Sequence, residues 1–171
     1  MSADTRIALE NVSYSYGKGA LKKQILFDIG TQIDAGQIVI LTGPSGSGKT
    51  TLLTLIGALR SAQEGSVKVL GRELLKAKER ALIKARREIG YIFQSHNLLD
   101  SLTIHQNIQM ALQLHGVKGR RSSKRVAEVL ERVDLSEHEH KYPRELSGGQ
   151  KQRAGIARAL VTRPQIVLAD E

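Results

Sequence analysis

The chain of 171 residues contains no cysteine and no tryptophan, and aromatic residues make up only 4% of it. Without cysteine it has no disulfide, no zinc–thiolate site and no thiol nucleophile. Long hydrophobic runs are also missing, since an aliphatic stretch such as Ile38–Leu41 has four residues against the ~20 needed to span a bilayer. The start, Met1–Arg6, lacks the apolar core of a secretory signal. We expect a protein of a reducing compartment that reaches any membrane through a partner.

Positive charge is in excess and is concentrated in the middle of the chain. Lysine and arginine number 26 against 17 acidic residues, a formal net charge of +9. Residues 72–125 hold 12 basic and 4 acidic side chains, or +8 of that total. Such clustering is compatible with a nucleic-acid or anionic-lipid footprint, with a partner-facing patch, or with a solvated helix face, because glutamates are interspersed. We favour the solvated face and expect no nucleic-acid partner.

Hydrophobic periodicity changes along the chain. Alternation predicts strands near residues 12–16 and 25–33, followed by a hairpin turn at 34–36 and a strand buried on both faces at Gln37–Thr42. A helix at 51–59, a strand at 66–70, a basic helix at 73–87 and a strand at 89–93 follow. Apolar residues at helical spacing then predict two helices, the first capped by Thr103 and Gln106. A helix over Gln150–Val161 leads into the aliphatic strand Ile166–Ala169.

A glycine-rich loop follows the apolar run, and its sequence matches G-x-x-x-x-G-K-[ST] at every fixed position. Small residues allow successive backbone N–H groups to converge on a polyphosphate, and the start of the next helix adds partial positive charge. Lys49 supplies a charge toward the β and γ phosphates, and the Thr50 hydroxyl is a hard ligand for Mg²⁺. The loop, Gly43-Pro44-Ser45-Gly46-Ser47-Gly48-Lys49-Thr50, predicts binding of a nucleoside triphosphate.

A second helix start also has the features of an anion site. The segment Leu146-Ser147-Gly148-Gly149-Gln150 places an N-cap serine before two glycines that leave backbone N–H groups unshielded. On its own, such a segment is equally typical of a capping loop. Its sequence, LSGGQ, is the signature of one family, and the chain resembles the nucleotide-binding subunit of an ABC transporter.

This resemblance implies the fold and the domain plan. The expected fold is α/β, a P-loop NTPase with a RecA-like core, an N-terminal antiparallel β subdomain and an inserted α-helical subdomain, incomplete at the C-terminus. The whole of 1–171 is then one ATP-binding domain. We expect a β subdomain at 1–36, the P-loop core at 37–96, a helical subdomain with the signature at 97–149, and a return to the core at 150–171.

The resemblance also implies the roles of individual residues. By it, Asp170 and Glu171 end the Walker B strand, where Asp170 holds Mg²⁺ and Glu171 is the general base. Gln94 is the glutamine of the Q-loop, near both Mg²⁺ and the attacking water. The expected catalytic residues are Glu171, Lys49 and Gln94, and the expected Mg²⁺ ligands are Thr50, Gln94 and Asp170. The expected ATP contacts are Tyr16 under adenine, residues 43–50, Thr51, Ser147, Gly148, Gly149 and Gln150; packing on its strand face is a competing explanation for Tyr16.

The family's ATPases work in pairs, and the resemblance implies a homodimer that sandwiches ATP between the P-loop of one copy and the signature of the other. It further implies a membrane permease as partner and a place on the inner face of the cell membrane. Lys22–Leu26 and Gln94–Leu99 resemble the DevA-type exporter ATPases within the group that includes LolD and MacB. We therefore expect export, of glycolipid in the first instance, with a periplasmic adaptor. Alternatives are lipoprotein-release or macrolide-type export, a non-transport ABC ATPase bound to DNA or ribosomes, and a non-hydrolysing dimerisation module.

Two histidines near the signature are candidate metal ligands. In Glu137-His138-Glu139-His140 the two rings are two residues apart, a spacing that does not place both on one helix face. We expect an exposed polar loop here and no metal site.

Members of the family continue beyond the Walker B glutamate into a D-loop and a switch histidine, which these 171 residues do not contain. The strand carrying that histidine lies between the two core strands, so we expect an empty ladder between residues 37–42 and 165–169. We predict that the 171 residues alone hydrolyse ATP poorly or not at all. A steady-state ATPase assay with Mg²⁺ checks this, and normal turnover would contradict it.

Overall fold

The computed structural model describes residues 4–170, and Glu171 lies outside the described residues. The chain divides into two compact units, Met1–Arg87 and Glu88–Glu171. The first is built on an antiparallel sheet and the second on three helices and a pair of parallel strands.

The first unit contains a four-stranded antiparallel sheet in the order β2-β1-β3-β4. Its strands are β1 (Thr5–Tyr16), β2 (Lys23–Asp34), β3 (Glu64–Val69) and β4 (Arg72–Glu73). The predicted strands near 12–16, 25–33 and 66–70 are therefore confirmed, with β1 beginning much earlier than the alternation around Tyr14 suggested.

Strand β1 lies between two partners, β2 and β3, and buries apolar side chains against both. Leu9 pairs with Val67 of β3, and Tyr14 pairs with Leu26 of β2. All four of these side chains are buried. The helix α1 (Lys49–Ile56) adds Leu52, Leu55 and Ile56 to the buried set.

The prediction of a buried strand at Gln37–Thr42 is wrong. In the part of the chain that the structure describes, these residues belong to neither sheet, and Ile38 and Ile40 are 94% and 82% exposed. A strand needs a neighbour to complete its ladder, and no described strand pairs with this segment. The turn at Ala35–Gly36 forms, with φ +75° at Gly36, but no hairpin follows it.

The predicted basic helix over residues 73–87 is shorter than expected. The helix α2 spans Glu79–Arg87, and Glu73 belongs instead to β4. The Glu73 carboxylate accepts hydrogen bonds from the backbone N–H groups of Val67 and Leu75. A side chain engaged in this way holds residues 72–75 in an extended turn, so the helix begins only after Lys78.

The second unit contains two parallel strands, β5 (Ile89–Ile92) and β6 (Ile166–Ala169), paired from Ile89 with Ile166 to Ile92 with Ala169. Both were predicted. Gly90 is required in β5, because a Cβ there would lie 2.8 Å from the carbonyl oxygen of Ala159 and 2.9 Å from Pro164 Cγ. The sheet therefore packs directly on the backbone that leads into β6.

The described part of this unit also contains three α-helices: α3 (Ile104–Leu114), α4 (Gly119–Arg132) and α5 (Gly148–Leu160). Their apolar faces meet in one core that includes Ile104, Ile108, Leu112, Val126, Leu130 and Ala157. The predicted helical stripes on α3 and α4 are confirmed, as is the capping box of Thr103 and Gln106. Helix α5 begins two residues before the predicted Gln150. Among residues 4–170, no helix has both the length and the apolarity to cross a bilayer.

A single buried amide organises the loop that enters α3. Asn107 is fully buried, and its Nδ2 lies 3.1, 3.0 and 3.0 Å from the carbonyl oxygens of Leu99, Leu102 and Thr103. Its Oδ1 accepts from the backbone N–H of Leu99 at 2.7 Å. One side chain therefore bonds to four backbone groups of residues 99–103, and for the Leu99 N–H and the Leu102 carbonyl it takes the place of a backbone partner.

We predict that Asn107→Ala lowers the free energy of unfolding by about 2–4 kcal/mol, because it empties a buried site and removes the side-chain partner of the Leu99 N–H and the Leu102 carbonyl. Urea denaturation followed by far-ultraviolet circular dichroism measures this. Gln113→Ala, an exposed amide on the same helix, serves as the control and is expected to change stability by less than about 0.5 kcal/mol. Equal effects of the two substitutions would contradict the anchoring role of Asn107.

Candidate functional site

The glycine-rich loop leads into α1 through Gly48, whose φ of +94° is in the left-handed region. A Cβ at this position would lie 2.8 Å from Leu26 Cδ2 and 3.0 Å from Ile25 Cγ2. Only glycine therefore allows both this turn and the close packing against β2. The first N–H groups of α1 then lie at an exposed loop, as an anion site requires.

Lys49 folds back over the loop that precedes it. Its Nζ donates to the carbonyl oxygens of Gly43 at 2.8 Å and Pro44 at 2.9 Å. These contacts place the ammonium group above the same backbone that would surround a polyphosphate. Thr50 is exposed beside it, while Thr51 is buried.

Tyr16 belongs to the same unit as the glycine-rich loop. Its hydroxyl shares a hydrogen bond of 3.1 Å with Thr51 Oγ1, which fixes the ring relative to α1. Tyr16 as a whole is 37% exposed, in contrast to Tyr14, which is 7% exposed and packs edge-on against it. Tyr16 is thus anchored at its hydroxyl while the residue stays partly exposed. Packing on the face of β1 alone does not require this arrangement.

Arg60 is a neighbour of Tyr16 that no sequence motif indicated. Its guanidinium carbon lies 4.9 Å from the centre of the Tyr16 ring and 5.8 Å from that of Tyr14. It also donates to the Tyr14 hydroxyl at 3.3 Å, and this hydrogen bond, with the nearby tyrosines, raises the pKa of Arg60. A cation is therefore held beside the aromatic pair.

Gln94 and Asp170 lie at the same edge of the second unit. Both follow the carboxyl ends of parallel neighbours, Gln94 after β5 and Asp170 after β6. The Asp170 N–H donates to the carbonyl oxygen of Ile92 at 3.0 Å, so the ladder continues as far as Asp170. The structure thus brings together these two predicted residues, whereas the predicted base Glu171 lies outside the described residues.

The loop after Gln94 is attached to α5. Arg158 donates to the carbonyl oxygens of His96 and Asn97, residues with left-handed φ values of +60° and +46°. Burial lowers the pKa of Arg158, and the two carbonyl contacts offset part of the cost of that burial. No motif in the sequence indicated Arg158, which is one of two arginines in α5 and has no distinguishing spacing.

The signature segment forms a complete capping box. Ser147 is the N-cap of α5, as predicted, and its Oγ accepts from Gln150 N at 3.3 Å. In return Gln150 Oε1 accepts from Ser147 N at 2.8 Å. Gly148 and Gly149 are exposed, and a Cβ at either would meet nothing within 4 Å. The helix start is therefore open in front of the two glycines.

The two histidines before the signature have different surroundings. The His140 side chain is 84% exposed and pairs with Glu139 at 3.0 Å, whereas His138 is half-buried with its Nε2 2.9 Å from Gln150 Nε2. The expectation of an exposed polar loop is thus wrong for His138. Within residues 4–170, no three His, Asp or Glu side chains are grouped so as to hold a metal ion.

Tyr91 lies beneath the edge that carries Gln94 and Asp170. Its hydroxyl is buried without a hydrogen-bond partner, and its ring stacks on Phe93 at 4.3 Å. Burial, and then the negative charge of Asp170, raise the pKa of Tyr91 from 10.0 to about 12. Because the folded state disfavours the phenolate, the contribution of Tyr91 to stability is present below pH 10 and is lost as pH rises toward 12.

We predict a phenolate absorbance transition at about pH 12 that disappears in Tyr91→Phe. Asp170→Asn is expected to move this transition to lower pH while leaving it above the ordinary tyrosine value, since burial remains. Spectrophotometric titration measures both. A transition unchanged by Asp170→Asn would show that the carboxylate does not act on Tyr91.

Comparison with known proteins places this arrangement in a family. The family model described as ABC transporter matches residues 26–171. The methionine import ATP-binding protein MetN of Bifidobacterium longum is 48% identical over 155 residues, which cover 91% of this chain and 39% of that protein. The bacitracin export ATP-binding protein BceA of Halalkalibacterium halodurans is 39% identical over 162 residues, covering 94% of this chain and 64% of that protein. The chain thus spans between 39% and 64% of the length of these two relatives.

Comparison with solved structures indicates the same family. A dimeric structure of the ATP-binding cassette MJ0796, in a post-hydrolysis state bound to ADP and Pi, superimposes with a TM-score of 0.90 at 36% identity, covering 96% of this chain and 73% of that one. A second, CbiO1 of Clostridium perfringens, part of an ABC transporter complex, gives a TM-score of 0.84 at 25% identity, covering 98% and 66%. The fold is that of an ABC ATPase cassette, as the LSGGQ segment and the P-loop predicted. On these matches, the chain belongs to the ABC transporter family of ATP-binding domains.

Proposed function

We propose that this chain is the ATP-binding part of an ABC transporter ATPase, and that the whole protein hydrolyses ATP to drive transport. One observation carries the proposal: a single chain presents two exposed glycine-rich helix starts, at Gly48 and at Ser147. Both are of the kind that binds phosphate, and membership of a family of ATP-binding domains supports the proposal that both contact ATP.

The residues at the first helix start fit a triphosphate. The loop is exposed, its turn at Gly48 has no side chain, and the Lys49 ammonium is already turned onto its carbonyl oxygens. On binding, the phosphate oxygens would replace those carbonyls as the acceptors of Lys49. Tyr16 offers a partly exposed ring for adenine, and the Arg60 guanidinium carbon lies 4.9 Å from the centre of that ring.

The predicted Mg²⁺ ligands also fit their ion by chemistry. A hydroxyl at Thr50, an amide at Gln94 and a carboxylate at Asp170 are all hard oxygen donors, the type that Mg²⁺ prefers. Bound there, the ion would neutralise phosphate charge. Gln94 and Asp170 share one edge of the second unit, and Asp170 is the residue whose charge acts on Tyr91. The role of Glu171 as general base remains a proposal from family resemblance.

The signature supports a two-copy site. Gly148 and Gly149 have open space where a Cβ would be, so a phosphate held by another chain can approach their backbone. We therefore propose that the signature of one copy closes on the ATP of the other. The MJ0796 cassette, described as dimeric and bound to ADP and Pi, is the structural precedent.

A membrane permease is the proposed partner, because the family is one of transporters. We propose that the protein lies on the cytoplasmic face and contacts the permease through the loop at Gln94 and the helix α3 with its N-cap, Thr103. Neither the described residues nor the relatives support the periplasmic adaptor or a non-transport role.

The direction of transport and the cargo are predicted from two short segments only. These segments, Lys22–Leu26 and Gln94–Leu99, predict export of a glycolipid. Among the relatives, MetN is named for methionine import and BceA for bacitracin export. The narrower resemblance to DevA-type exporters is therefore not established, and the coarser assignment, an ABC transporter ATPase, is the one that the site supports.

We predict that Lys49→Ala weakens ATP binding by about 10- to 100-fold, the range expected for loss of a charge-assisted contact. Equilibrium titration with a fluorescent ATP analogue measures this in the protein that carries this chain. Lys22→Ala, an exposed lysine outside the loop, is the matched control and is expected to bind normally. Tyr16→Ala is expected to weaken binding more than Tyr16→Phe, since phenylalanine keeps the ring. Binding that is insensitive to Lys49→Ala would contradict the proposed site.

A further inference from the structure

His138 contacts the signature through one atom pair. Gln150, the last residue of LSGGQ, has its Oε1 committed to the backbone N–H of Ser147 at 2.8 Å. Its Nε2 is therefore the amide group that faces His138 Nε2, at 2.9 Å. An amide nitrogen is a donor only, and so the histidine nitrogen must accept.

This requirement fixes the protonation of the ring. For Nε2 to accept a hydrogen bond, His138 must be neutral and carry its single proton on Nδ1. The opposite orientation of the Gln150 amide is excluded, because it would set two donors against each other at Ser147 N. The Ser147 N–H thereby sets the orientation of the Gln150 amide, and His138, outside the signature, accepts from the amide nitrogen that remains.

The segment that carries His138 is itself attached to α3. The first two N–H groups of that helix, at Ile104 and His105, donate to the carbonyl oxygens of Lys141 and Glu139 at 2.9 and 2.8 Å. The His105 ring also lies 3.5 Å from the Glu139 carboxylate. Residues 138–141 thus bridge the start of α3 and the start of α5, and His138 is the contact on the α5 side.

We propose that His138 is a positioning residue of the signature: as the neutral Nδ1–H tautomer, it holds the Gln150 amide so that the Ser147–Gly149 turn is preorganised for the γ-phosphate presented by a second copy. The purpose assigned to the His138–Gln150 contact rests on the proposed function, whereas the geometry of the contact does not. His138 does not touch the nucleotide, and its effect passes through Gln150 and Ser147.

The tautomer is tested without nucleotide. Long-range ¹H–¹⁵N correlation spectra of the histidine rings, recorded on the native protein near neutral pH, are expected to show His138 protonated at Nδ1 and unprotonated at Nε2. Assignment uses His138→Gln, in which those signals disappear. Signals showing His138 protonated at Nε2 would overturn the proposal whether or not the protein binds ATP.

The positioning role is tested by ATP-driven association of the native protein in the absence of hydrolysis. His138→Phe keeps the ring size but removes the acceptor, and is expected to raise the ATP concentration needed for half-maximal dimerisation about fivefold, the effect of one net hydrogen bond. His138→Gln supplies an amide oxygen and is expected to restore association. ATP binding to the monomer, governed by the P-loop, is expected to be unchanged.

The matched control is His140→Phe, two residues away with an 84% exposed side chain, which is expected to behave as native. Equal effects of His138→Phe and His140→Phe, or no rescue by His138→Gln, would overturn the positioning role. If the native protein bound ATP but never dimerised, the proposed two-copy site would fail, while the tautomer measurement would still decide the His138–Gln150 contact.

Discussion

The proposed binding of ATP depends on two helix starts whose backbone N–H groups face outward with no side chain in front of them. At α1 this is achieved by Gly48, which lies in a left-handed conformation and packs so closely on Ile25 and Leu26 that no Cβ fits. At α5 it is achieved differently. Ser147 and Gln150 cap the helix reciprocally, and Gly148 and Gly149 leave the space before it open. In both, the helix dipole and the free donors favour negative charge.

Outside these two helix starts, polar side chains rather than regular structure fix the loops. Asn107 satisfies four backbone groups of the loop before α3, and Arg158 holds two carbonyl groups after Gln94. His138 holds the amide of Gln150. Each of these side chains is buried or half-buried and is paired, as a polar group removed from water must be. The loop after Gln94 and the signature are therefore parts of one hydrogen-bonded unit.

Patterns among residues close together in the sequence predicted the capping boxes and the amphipathic helices. The capping boxes at Thr103 and Ser147 follow from residues three apart, and the apolar stripes of α3 and α4 follow from helical spacing. The glycine-rich loop and LSGGQ were recognisable because their chemistry dictates residue type at each position. The family, and with it the candidate site, could be predicted from these two segments.

What the sequence could not predict depends on partners distant along the chain. Residues 37–42 have the composition of a buried strand, yet they remain exposed because no described strand lies beside them. Glu73 looked helical but caps a turn of β4 instead. Arg60, Arg158 and His138 carry no motif, since their roles come from tyrosines, carbonyls and an amide that only folding brings near.

The most direct test mixes two disabled copies of the protein that contains this chain. A Lys49→Ala copy keeps its signature and a Ser147→Arg copy keeps its P-loop, so each alone lacks half of every two-copy site. Together they form one intact site, and ATP-dependent association measured by analytical ultracentrifugation should be absent for each variant alone and restored on mixing. Association of either variant alone at native ATP concentrations, or no restoration on mixing, would contradict a site shared between two chains.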